Sequence, residues 1–85
     1  MKTKETYARA HARLLVWLKA EGWTTSSHNL KIPWAISSED NRLWFHPQAI
    51  YLNAHSLFVD ARGMSGESLL RIVDAALHSG VGYNL

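Results

Sequence analysis

Histidine and carboxylate are the side chains here best suited to holding a metal or moving a proton, and the chain carries five of the first and seven of the second. His46, His55 and Asp60 lie close enough in sequence to suggest a metal-dependent hydrolase if they converge. No two histidines, however, stand at the i, i+4 or close strand spacing that makes such sites recognisable. His11 falls on an apolar helical face, where a hydrogen-bonded core histidine is expected rather than a ligand. For nucleophilic catalysis there is no cysteine, and the nearest serine context is "GMSGES" (63–68). Ser65 in that stretch reads as the cap of a following helix rather than as a nucleophile elbow. Glu39 and Asp40 sit in a polar turn as solvated groups, and no glycine-rich phosphate loop is present. The expectation is a non-enzymatic protein with no catalytic residues, no cofactor and no metal.

Elements must position whatever does act, and length limits them. Eighty-five residues make one domain over 1–85, with 1–4 and 83–85 expected to fray. A chain of this size buries only about 60–65% of its unfolded surface. Without cysteine no disulfide can staple it. The 47% hydrophobic content and four tryptophans nevertheless indicate a folded core. "KTKETYARAHARLLVWLKAEGW" has only a short apolar block, Leu14–Leu18, so neither a signal peptide nor a membrane span is expected. The default location is cytoplasmic.

Projected at helical spacing, Tyr7, His11, Leu14 and Leu18 share one face, with Lys2, Glu5, Arg9, Arg13, Val16 and Lys19 opposite. Gly22 is the stop signal and Thr24–Ser27 a loop. "LKIPWAI" (30–36) alternates with period two, which predicts a strand with Leu30, Ile32, Trp34 and Ile36 on the core side. Pro33 would place it at a sheet edge or a bulge. In "RLWFHPQAIYL" (42–52), odd-numbered Leu43 and Phe45 and even-numbered Ile50 and Leu52 cannot all face the core from one regular strand. A bulge at Pro47, or two short strands, would reconcile them. "SLFVDA" (56–61) predicts another strand, with Leu57 and Val59 inward. The last helix spans roughly 66–78, Gly80 and Gly82 end it, and Tyr83–Leu85 forms a short tail. The result is an α+β two-layer sandwich in the order α-β-β-β-α. Its antiparallel sheet has three or four strands, with both helices on one face.

Two surfaces follow. Residues 1–22 carry a net +3 (five Lys and Arg against two Glu), whereas residues 23–85 carry −1 (four against five). The basic face formed by Lys2, Arg9, Arg13 and Lys19 could neutralise phosphates. The order α-β-β-β-α also resembles that of the double-stranded RNA-binding domain, and the resemblance implies a reader of duplex shape. It is confined to element order, because the lysine-rich start of that family's second helix is replaced here by "SGESLLRI". The second surface is the sheet face away from the helices, where Lys31, Trp44, His46, Tyr51, Phe58 and Asp60 are expected. Exposed aromatics in such numbers mark a protein interface, and Trp and Tyr are common binding hot spots.

Protein–protein contact is therefore the leading expectation, through Trp44, Tyr51, Phe58, His46 and Lys31, with a homodimer or a foreign protein as partner. Nucleic-acid binding through Lys2, Arg9, Arg13 and Lys19 is the alternative. Small chains of this kind are common among accessory and inhibitory proteins of phages and other mobile elements, which supplies a setting rather than a mechanism.

Overall fold

In a computed structural model, whose described residues are 4–79, the chain runs α1 (Tyr7–Ala20), β1 (Thr24–Thr25), β2 (Trp34–Ile36), β3 (Arg42–His46), β4 (Ala49–Leu52), β5 (His55–Ser56) and α2 (Gly66–His78). The strands form one antiparallel meander in chain order, β1-β2-β3-β4-β5. Five strands replace the three or four expected, because Thr24–Thr25 pairs with β2 instead of remaining a loop. The α-β-β-β-α order shared with the double-stranded RNA-binding domain is thereby lost. Lys2, Gly80, Gly82 and Tyr83–Leu85 lie outside the described residues.

Both helices begin and end on local chemistry. Thr6 caps α1 by accepting from the Arg9 N–H, and Ser65 caps α2 by accepting from the Ser68 N–H. Such caps contribute about 0.5–2 kcal/mol each. Gly22, at φ +100°, stops α1. Its N–H donates to the Lys19 carbonyl, and the Trp23 N–H donates to that of Leu18. This is the paired closure of a Schellman motif, and Trp23 then packs against the core.

The segment 42–52 is two short strands joined as a hairpin, the second of the two arrangements expected, and not one bulged strand. Pro47 and Gln48 form a two-residue turn, with Phe45 opposite Ile50 and Leu43 opposite Leu52. Across an even-numbered turn odd residues face even ones, so the hydrophobic phase slips without an inserted residue. Pro47, having no N–H to donate, suits the first turn position. The next hairpin turns at Asn53–Ala54. Asn53 adopts φ +57°, and its side chain accepts from the Arg42 N–H, fastening the start of β3.

The phase of 30–36 is the reverse of that expected. Ala35 is fully buried, and Trp34 and Ile36 lie on the other face. The loop 37–41 has five residues, so β2 and β3 keep the same parity: Ala35 pairs with Leu43 and Trp34 with Trp44. An alanine here also lets α1 approach the sheet, while the bulky indole takes the open side. Pro33 precedes β2 rather than marking an edge. Its carbonyl accepts from the Phe45 N–H, and β1 extends only along 35–36. Past β5 the expected strand 56–61 breaks off at Phe58, whose φ is +51°. Leu57 and Val59 still pack against the core.

That core draws Ala10, Leu14, Leu15 and Leu18 from α1, and Leu69, Val73 and Ala76 from α2. Ala35, Leu43, Phe45, Ile50 and Leu52 come from one sheet face. The helices meet where Trp17 lies on Gly66, so closely that a Cβ built there would overlap the six-membered ring of the indole. Gly66→Ala should therefore destabilise the fold by about 1–3 kcal/mol through overpacking, although alanine is the better helix former by about 1 kcal/mol. Urea unfolding monitored by circular dichroism measures this; a variant as stable as wild type would show that the indole moves aside freely.

Candidate protein-contact face

The strand pairings set a row of side chains across the open face of the sheet. Trp34 stands opposite Trp44, Trp44 opposite Tyr51, and Tyr51 opposite Ser56. With strands about 4.8 Å apart, the three aromatic residues span about 10 Å. All three are partly accessible, whereas the alternating positions of the same strands are buried. His46 lies diagonally beside Tyr51 on this face, their ring centroids 4.5 Å apart. Arg42 stands at the opposite end of β3, exposed, with Asp40 at 3.4 Å. This pair is too solvated to fix much.

Of the residues expected at an interface, the structure brings Trp44, His46 and Tyr51 together and adds Trp34. The spacing of "LKIPWAI" alone assigned that indole to the core; pairing it with Trp44 across a five-residue loop reverses the assignment. Lys31 and Phe58 lie off the row. Lys31 is exposed in the turn that leads into β2. Phe58, 89% exposed, sits in the irregular segment after β5, its N–H donating to the Ser56 hydroxyl. A positive φ at a residue with a Cβ costs roughly 1–2 kcal/mol. The flanking Leu57 and Val59 hold that conformation by packing inward.

The cations of α1 divide into two sorts. Arg9, Arg13 and Lys19 are all exposed, as is Lys4 ahead of the helix, but the Arg13 guanidinium is engaged within the fold. Its guanidinium donates through Nε and Nη2 to the two oxygens of the Glu5 carboxylate, both at 2.8 Å, and through Nη1 to the Met64 carbonyl at 2.6 Å. Glu5 also accepts from the Gly63 N–H at 2.8 Å. Arg62 pairs in the same forked manner with Asp60, and its guanidinium carbon stands 4.2 Å from the centre of the Tyr7 ring. Together these contacts tie the start of α1 to the segment preceding α2. A phosphate would have to displace the Glu5 carboxylate to reach Arg13.

The remaining chemical candidates do not assemble. His46 lies on the open face, whereas His55 stands opposite Leu52, in register with the core side. Among the described residues no three His, Asp or Glu side chains come together to hold a metal. The Ser65 hydroxyl is committed to capping, accepting from the Ser68 N–H and donating to the Ser68 hydroxyl. No helix among the described residues is long and apolar enough to cross a membrane.

The Arg13 and Gly63 hydrogen bonds hold the Glu5 carboxyl down at about 2, against an ordinary 4.5. The unfolded chain thus binds more protons in this interval, and stability must fall as pH drops from about 4.5 toward 2. Above 4.5 the contribution is fully present. The Asp60 carboxyl, lowered by Arg62, adds a slope of the same sign. Glu5→Gln should lower stability at neutral pH and flatten the acid limb of urea midpoint against pH. An acid limb as steep as that of wild type would show that Glu5 is not held this way. In comparison with known proteins, the chain matches no family model, no curated protein and no solved structure.

Proposed function

We propose that this chain is a small non-enzymatic binding module that acts by protein–protein contact through the open face of its sheet, a second copy of the chain being the first partner to test. The observation that carries the reading is the aromatic row Trp34–Trp44–Tyr51, opposite the face on which both helices contribute to the core. Indole and phenol rings on a strand framework offer large contact area at little conformational cost, which is why they recur as hot spots. His46 and Arg42 give the row a polar margin that can set orientation. Accessory or inhibitory action fits such a module, which would occupy a partner's surface rather than turn over a substrate.

Light scattering of wild type and of Trp34→Thr/Tyr51→Thr tests the reading, threonine being chosen to preserve strand propensity. Wild type should exceed the monomer mass as concentration rises. The variant should remain monomeric with an unchanged circular dichroism spectrum. A wild type that stays monomeric throughout would remove self-association. Tight binding of duplex or single-stranded nucleic acid that weakens steeply with salt and is lost in Arg9→Glu/Lys19→Glu would favour the basic face of α1 instead.

A further inference from the structure

We propose that the cleft between the first turns of α1, the turn leading into β2 and the β3–β4 turn binds a small organic anion, a monocarboxylate with an apolar body. This site shares no residue with the aromatic row and stands independently of it. The cleft has a volume of about 170 Å³, below the roughly 300–1,000 Å³ of sites for drug-sized ligands. Its occupant is therefore small.

His11 supplies the polar group. It is only 6% exposed, its ring edge-on to Phe45 at 5.3 Å and tilted against Tyr7 at 6.2 Å. It makes no side-chain hydrogen bond among the described residues, and no buried side-chain nitrogen or oxygen there is sealed off without a partner. The imidazole nitrogens must therefore open to the cleft that His11 lines. An accessible nitrogen on an otherwise buried ring leaves a hydrogen-bonding position that a ligand can take over from water.

The surroundings select the sign and shape of that partner. Lys31 and His28 line the same cleft, and no carboxylate does. Leu30, Pro33 and Pro47 supply its apolar walls. A carboxylate can accept from the imidazole and from Lys31 while its hydrocarbon body covers the prolines. Charge-assisted bonds of this kind are stronger than neutral ones.

Proton uptake should accompany binding. Burial lowers the His11 pKa below its ordinary 6.5, favouring the neutral form of the ring. A bound anion stabilises the imidazolium and raises that pKa. The titratable groups around it are Tyr7 on α1 and His28 and Lys31 in the turn before β2; β3 and the β3–β4 turn contribute Phe45 and Pro47, which do not titrate.

Histidine-ring NMR of the full chain, titrated with benzoate, benzamide and inorganic phosphate, tests the site. Benzoate should give saturable shifts of His11 and bind severalfold tighter at about pH 6 than at about pH 7.5. Lys31→Ala, an exposed substitution, should weaken benzoate severalfold with the fold intact. His11→Phe in a His28→Asn background, if folded, should abolish the pH dependence that His28→Asn alone retains. Benzamide binding as tightly as benzoate would overturn the anion, and phosphate binding as tightly would overturn the apolar body. Absence of saturable His11 shifts at millimolar benzoate would overturn the site altogether.

Discussion

A sheet that turns one face to the core can bury only every second side chain, and the length of each turn decides which half that is. An odd number of turn residues carries the parity of inward positions across to the next strand, whereas an even number inverts it. In this chain the rule runs from Ala35 through Leu43 and Phe45 to Ile50 and Leu52, and reaches Leu57 before the backbone breaks at Phe58. Trp34, Trp44 and Tyr51 fall on the other parity and so are placed outside together. The candidate interface and the core are thus fixed by the same three turns, and neither can be altered in register without exchanging places with the other.

The small core depends as much on closure as on area. With no cysteine, covalent cross-linking is unavailable, and the ends are joined by polar contacts instead. Glu5 and Arg13 fasten α1 to the segment 61–64, through a forked ion pair that also satisfies backbone groups. An exposed ion pair alone would contribute little. Because Glu5 and Arg13 also engage the backbone of a distant segment, the pair acts as a fastening for the chain. The arginine that looked available to phosphates from its helical position is the one most fully used within the protein.

Both helices were legible from the sequence, since apolar spacing, the Ser65 cap and the Gly22 stop agree with one another. The odd–even slip in "RLWFHPQAIYL" was legible too, and narrowed its cause to a bulge or two short strands, of which the structure has the second. A bulge and a two-residue turn predict the same faces for Trp44 and Tyr51, and only strand pairing separates them. Trp34 was misplaced because alternation within a strand gives two equivalent phases, and choosing the bulkier set for the core failed where α1 comes close over Ala35. Thr24–Thr25 and His55–Ser56 are too short to carry a periodicity, so the sheet exceeded what patterning could reveal. Phe58 is exposed but lies off the sheet face expected for it, because its left-handed backbone, which leaves no mark on hydrophobic alternation, ends the strand.

The meander has a bearing on the order in which structure can be gained. Every strand joins the neighbour that precedes it in the chain, and the widest separation between paired residues is that of Thr24 and Ile36, twelve positions. Closing such short loops costs little chain entropy, so each hairpin can form beside one already made. The contacts from Arg13 to the Met64 carbonyl span 51 positions, and they become favourable only once the intervening sheet has shortened the path between them. The sheet thus serves the two helices as a template that brings distant ends of the chain within reach, and the Glu5–Arg13 fastening is the latch that this shortening makes available.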